Sequence, residues 1–266
     1  MLGIPVRKVT SVANASRKPQ PRKLREIGKL SIKAEMSLAL NRESFFWHKV
    51  HSLTGIVPVG YYMAQHLALN SFTLGGAEKF NGVIDFFEGI PKHFLILLEV
   101  VAIWLPLVFH AVYGMFIIGR SQQNFIGTKY GWSQNRMYTF QRYSGVFLFF
   151  ALIFHVSTTT IQKYITGNAE SIKYAAWQEK LTANGGILLV FYVLLVLTAS
   201  YHLGYGIWNF CIRWGITVTD AAQQRIQKVA VAVFILLTLT GWGALAGFLI
   251  HPAKAPVETV QASLVR

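Results

Sequence analysis

The chain has 266 residues, of which 53% are hydrophobic and 14% charged, and its mean hydropathy is +0.41. That balance excludes an ordinary soluble domain, which needs enough charged surface to cover its core. The net charge of +14 does not imply nucleic acid, since the basic residues sit almost wholly outside the apolar segments, and the single cysteine, Cys211, excludes an internal disulfide and a cysteine-held iron-sulfur site.

Residues 1–44 form a basic polar tail, with Arg7, Lys8, Arg17, Lys18, Arg22, Lys23, Arg25, Lys29, Lys33 and Arg42 against Glu26, Glu35 and Glu43. No apolar stretch of signal-peptide type occurs in it; it reads as a cytoplasmic juxtamembrane extension, with an organellar transit peptide as the other reading. Five apolar blocks follow at 46–70, 93–119, 138–162, 185–212 and 226–250. As helices, each can cross a hydrocarbon core of roughly 30 Å. The expected fold is all-α: a polytopic membrane protein whose residues 45–251 form a bundle of five transmembrane helices, with a short tail at 252–266.

Charge sets the expected orientation. The tail, the 120–137 loop with Arg120, Lys129 and Arg136, and the turn with Arg213 and Arg225 fall on one side. Glu78, Asp85 and Glu88, and Glu170 and Glu179 among Lys163, Lys173 and Lys180, fall on the other. The positive-inside rule then makes the N-terminus cytoplasmic and the C-terminus external, in a cell membrane. Within the third connection, Ile172, Ala175, Ala176, Trp177 and Leu181 suit a short interfacial helix.

Four of the eight histidines lie inside separate blocks: His66, His110, His155 and His202. Counting about 1.5 Å per residue from each cytoplasmic helix end puts His110 and His202 at roughly 14 and 15 Å, and His66 and His155 at roughly 30 and 26 Å. An imidazole in hydrocarbon is costly without a partner, and four of them sorted into two facing pairs predict two bis-histidine haems. Two imidazoles saturate the iron, which favours electron transfer and leaves no open position for oxygen.

Gly55, Gly60, Gly114, Gly145, Gly204 and Gly206 lie near these histidines, where either a macrocycle or tight helix packing needs small residues. At the inner interface His51, Ser52, Gln141 and Arg142 are candidate partners for haem propionates, Arg142 foremost. His48 and Lys49 read as snorkelling side chains. Glu99 lies about 16 Å before His110 along its helix, near the outer pair, as a candidate for a quinone or proton role or a neutral hydrogen bond.

The words around the histidines resemble the di-haem cytochrome b subunit of succinate dehydrogenases and fumarate reductases in its single five-helix form. They are FFWHKVHSLTGIVPVG at 45–60, Gln65-His66-Leu67, GGAEKFN at 75–81, LPLVFHAVYG at 105–114, QRYSG at 141–145, His155 and YHLGYGIWNFCIRWGITVT at 201–219. The resemblance implies an inner haem b between His110 and His202 and an outer one between His66 and His155. It also implies a flavoprotein subunit and an iron-sulfur subunit docked on the cytoplasmic face, with electrons from succinate passing to a quinone, usually menaquinone; reduction is expected near the outer surface, close to His66, His155 and Glu99. Such electron flow is voltage-assisted, by about 2.3 kcal/mol per electron per 100 mV. The chain departs from some fumarate reductases in having Ser200 where they carry a glutamate two residues before the fourth ligand. Two other readings stand beside this one: the di-haem anchor of another quinone-linked oxidoreductase, and a haem-free transporter or scaffold, which predicts a colourless protein.

Overall fold

The computed structural model describes residues 29, 44–121 and 132–251. The tail up to residue 43 apart from Lys29, the loop residues 122–131 and the C-terminal tail from 252 lie outside the described residues. The chain divides into two units, Met1–Trp47 and His48–Arg266. In the first, residues 44–47 are helical, and the rings of Phe46 and Trp47 meet edge to face at 5.2 Å. All that follows concerns the second.

That unit begins with α1 (48–56) and α2 (Pro58–Asn70). They part at Val57 because Pro58 has no N–H to give and its ring crowds the carbonyl one turn back; the Val57 N–H still donates to Leu53 O at 2.9 Å. The first expected crossing is therefore divided, and neither piece alone has a crossing length. Four stretches are individually long and apolar enough to cross a membrane: Lys92–Gly119, Ser133–Thr166, Tyr174–Arg213 and Asp220–Ile250. All described elements are helical.

Two crossings contain a single wide turn. α4 (Lys92–Glu99) passes through a π turn at Val100–Trp104 into α5 (Leu105–Gly119). The π turn lies just ahead of Pro106, which cannot donate to a carbonyl four residues back. α6 (Ser133–Val156) passes through a second π turn at Ser157–Ile161 into α7 (Gln162–Thr166). There Thr159 Oγ1 donates to His155 O at 2.6 Å and Ser157 Oγ to Ile153 O at 2.6 Å, so hydroxyls satisfy carbonyls that the wider turn leaves short of partners.

The connection after the first block is more ordered than a loop. Residues 76–88 form α3 (Gly76–Glu88), with buried Phe80 and flanking Ala77 and Ile84 packed into the core. That 77, 80, 84 spacing is the i, i+3, i+7 stripe of an amphipathic helix. The third connection holds a short helix, α8 (Tyr174–Thr182), with Tyr174 and Leu181 buried in the core. It turns into α9 (Ile187–Arg213) through Asn184, Gly185 and Gly186, at φ of 50, 69 and 80°, a left-handed run that glycine takes without strain. α9 is thus the crossing part of its stretch, and α10 (Asp220–Ile250) returns beside it.

α3 and α8 close one end of the bundle. Phe80, Tyr174, Leu181, Tyr192 and Phe248 form a buried cluster there. The last carbonyls of α10, which have no helical partners of their own, receive the Tyr174 hydroxyl (Gly247 O, 2.6 Å) and Gln178 Nε2 (Phe248 O, 2.7 Å; His251 O, 2.9 Å). Lys173 reaches Glu170 at 2.7 Å and Asp85 at 3.5 Å, and the Glu170 hydrogen bond foremost raises its ammonium pKa above the ordinary lysine value. Close helix contacts use small residues: a Cβ at Gly204 would lie 2.8 Å from Ala230 O, and one at Gly60 would lie 2.7 Å from Leu203 Cδ1.

Candidate functional site: two histidine pairs inside the bundle

His66 on α2 and His155 on α6 bring their rings to 5.9 Å, at 76° to one another, toward the end closed by α3 and α8. His110 on α5 and His202 on α9 bring theirs to 6.2 Å at 90°, toward the other end. The pairs sorted by helix depth are the pairs whose rings meet. Among the described residues no three His, Cys, Asp or Glu side chains converge as a metal-ion cage; these imidazoles come in twos.

Hydrogen bonds select which nitrogen of each inner imidazole is free. His110 Nδ1 lies 2.9 Å from His51 O, a backbone carbonyl that can only accept, so Nδ1 carries the proton and Nε2 keeps its lone pair. Ser144 has one hydroxyl proton, which it donates to Gln141 O at 2.8 Å. Its oxygen is then left to accept from His202 Nδ1 at 2.9 Å, and His202 Nε2 also keeps its lone pair. Gln141 Nε2 donates to His202 O at 3.1 Å, so α6 holds residue 202 by both backbone and ring. In the other pair, His155 Nδ1 lies 3.0 Å from the Tyr192 hydroxyl, which leaves Nε2 of that ring on the opposite edge.

Small residues let these rings approach. A Cβ at Gly55 would run into the His110 ring, with Nδ1 at 2.8 Å; one at Gly145 would lie 3.3 Å from His202 Cε1; one at Gly114 would lie 3.1 Å from His51 Nε2. Of the glycines noted in the sequence, these make room for imidazoles, whereas Gly60 and Gly204 make room for neighbouring helices. The stretch Val100–Gly119 that carries His110 buries none of its residues, and the bond to His51 O is one of the ties holding it to α1.

The remaining sequence candidates fall in distinct places. The His51 ring stacks on that of His110, at 4.2 Å and 6°. Ser52 donates to Lys49 O at 2.9 Å and accepts from Trp214 Nε1 at 3.0 Å, so its proton is already committed within the protein. Gln141 Oε1 is buried with no hydrogen-bond partner, and the Arg142 guanidinium lies 4.3 Å over the Tyr138 ring. Glu99 accepts from the Tyr164 hydroxyl at 2.8 Å. Sequence reading passed over Ser144, Tyr192 and Tyr164 as site residues. The signal that could have found them is a hydrogen-bonding side chain inside an apolar block at the depth of a histidine.

The chain is thus an all-helical membrane protein that holds two facing histidine pairs on four helices. A family model described as the ferric reductase like transmembrane component matches residues 99–219, less than half of the chain and including His110, His155 and His202. Over 208 residues the chain is 33% identical to the succinate dehydrogenase cytochrome b558 subunit of Bacillus subtilis (strain 168), an alignment covering 78% of this chain and 98% of that one. The chain belongs to the family of succinate dehydrogenase cytochrome b558 subunits. It is a membrane cytochrome b of that family.

Proposed function

We propose that this chain is the five-helix membrane anchor of a succinate:quinone oxidoreductase and holds two haems b, the inner between His110 and His202 and the outer between His66 and His155. The observation that carries the reading is the paired imidazoles. Two imidazoles that would share one iron must face each other, and the ring centroids of the two pairs stand 6.2 and 5.9 Å apart. Nδ1 of His110, His202 and His155 is engaged elsewhere, which leaves Nε2 for the metal, as ligating histidines require. A porphyrin would supply the remaining ligands itself, so two side chains per group would suffice. The unpartnered Gln141 Oε1, on the residue whose amide nitrogen bonds His202 O, is a polar group on hand at the inner pair, and Arg142 follows it on α6.

When bound, the haems supply one-electron transfer across the membrane, from an iron-sulfur partner carrying electrons out of succinate to menaquinone near the outer surface. The chain's own residues orient the imidazoles, exclude water with apolar helices and bind the quinone. In this reading α1 and α2 together make the first of five crossings, with Pro58 as an internal break that lipid-facing helices tolerate when neighbours satisfy the freed carbonyl. The flavoprotein and iron-sulfur subunits dock at the cytoplasmic end, where His51, Ser52 and Trp214 lie; α3 and α8 face outward.

The test is the reduced-minus-oxidised visible spectrum of the purified chain with haem quantified per polypeptide, repeated for His110→Ala and His66→Ala. Two b-type haems with one distinct loss in each variant is the expected result. A colourless protein would return the chain to the class of haem-free scaffolds and transporters.

A further inference from the structure

Within the crossing segments α4–α5, α6–α7, α9 and α10 the only described carboxyl is Glu99, apart from Asp220 at the first residue of α10. A carboxyl at that depth is costly and needs a named partner. Its partner is the Tyr164 hydroxyl, which donates to Glu99 Oε2 at 2.8 Å across two helices. Both residues border the wide turns of their helices. Glu99 immediately precedes the π turn Val100–Trp104, and Tyr164 follows the π turn Ser157–Ile161, which itself begins two residues after His155. Single π turns inside otherwise regular helices concentrate at functional positions. On the α2 side, the Tyr62 ring lies 5.6 Å from that of His66.

The pair also has a connection to the surface. Lys163 Nζ lies 5.2 Å from the Tyr164 ring centroid and bonds Glu88 at 2.8 Å, the lysine side chain 15% and the glutamate side chain 44% exposed. Exposed Glu88, Lys163, Tyr164 and Glu99 thus follow one another in contact, the Lys163 ammonium over the face of the Tyr164 ring and the Tyr164 hydroxyl on Glu99.

We propose that Glu99 is the proton donor of a quinone-reduction site at the His66–His155 end, with Tyr164 as its positioning residue and Glu88 and Lys163 as the route by which it is refilled from the aqueous phase. The proposal rests on the reading of the chain as a quinone-reducing anchor. Reduction of a quinone takes two electrons and two protons. The electrons come from oxidation of succinate to fumarate at the partner subunit. Glu99 gives one proton to a quinone carbonyl oxygen and is left as a carboxylate, which the Tyr164 bond stabilises. Reprotonated along the surface route, it delivers the second, and quinol leaves.

The experiment uses the full complex with its partner subunits, as wild type, Glu99→Gln and Tyr164→Phe. Measured are haem content, electron transfer from succinate to a soluble dye, reduction of 2,3-dimethyl-1,4-naphthoquinone, and the redox-difference infrared spectrum in the protonated-carboxyl region. For Glu99→Gln we expect unchanged haem and dye reduction, quinone reduction lowered about 100-fold or more, the scale of a lost acid-base group, and loss of one carboxyl band. For Tyr164→Phe we expect a smaller fall with an altered pH profile of quinone reduction and that band shifted. Quinone reduction by Glu99→Gln within twofold of wild type would overturn the proposal. So would loss of haem in that variant, which would make Glu99 structural. A wild-type complex without haem, or one that reduces dye but not quinone, would instead overturn the reading on which the proposal rests.

Discussion

Ser144 Oγ sits between the carbonyl of Gln141 and Nδ1 of His202, at 2.8 and 2.9 Å, and its one proton goes to the carbonyl. A serine inside an apolar helix thereby determines that Nε2 of His202 is the unprotonated nitrogen. Tyr192 stands in the same relation to His155 at 3.0 Å.

Removal of either hydrogen-bond partner is expected to act on one haem alone. Ser144→Ala leaves His202 Nδ1 without its acceptor and should weaken retention of the haem assigned to the inner pair by about 10- to 100-fold. Tyr192→Phe should do the same at the other pair. Haem content during stepwise detergent dilution, with the two bands resolved by redox titration, reads both. Equal loss of both bands in either variant would contradict the assignment of separate pairs.

Gly55→Ala places a methyl group against the His110 ring. The ring must move, its bond to His51 O lengthens, and the inner haem signal is expected to fall while the outer persists. Gly82→Ala is the control, because a Cβ there meets nothing within 4 Å. A normal spectrum for Gly55→Ala would mean that the ring is not held where α1 and α5 put it.

Gly247→Ala should destabilise the bundle without touching either pair. The added Cβ would lie 2.6 Å from Thr73 C and 2.7 Å from Leu74 N, backbone atoms that cannot rotate aside. Overpacking of this kind costs about 1–3 kcal/mol, and it also strains the bond from Thr73 Oγ1 to Ala244 O at 2.7 Å. Thermal unfolding in detergent should show a lowered midpoint with an unaltered visible spectrum.

The proposed orientation rests on the positive-inside rule and can be read with cysteines, since the native Cys211 is buried. Asp85→Cys and Asp220→Cys both stand at exposed positions, on α3 and at the start of α10. A membrane-impermeant maleimide added to intact cells should label the first and reach the second only after permeabilisation. The reverse pattern would invert the proposed topology.

Hydropathy by itself located the apolar blocks, because the cost of exposing a polar backbone or side chain to lipid is paid residue by residue along the chain. It also placed four histidines at two depths, since helical rise converts sequence position directly into distance across the membrane. Pro58 was visible too, yet its effect on the first block depends on whether the flanking turns stay helical, and the structure divides that block at Val57. Helix α3 was legible in the 77, 80, 84 spacing but lay in a connection read by charge alone.

What only the tertiary structure decided is which groups meet across helices. Ser144 and His202 are 58 residues apart, and Glu99 and Tyr164 are 65 apart. Hydropathy carries no information on helix rotation, and rotation determines whether a hydroxyl at the right depth faces an imidazole or the lipid. The sequence therefore determined the apolar blocks, four of which are single helices long enough to cross a membrane, and the order of the imidazoles along them. The packing of α6 against α9, and the hydrogen bond from Tyr164 on α7 to Glu99 on α4, determined which nitrogen is free and which carboxyl has a partner, because hydrogen bonds require contact at about 3 Å and depth along a helix cannot supply that.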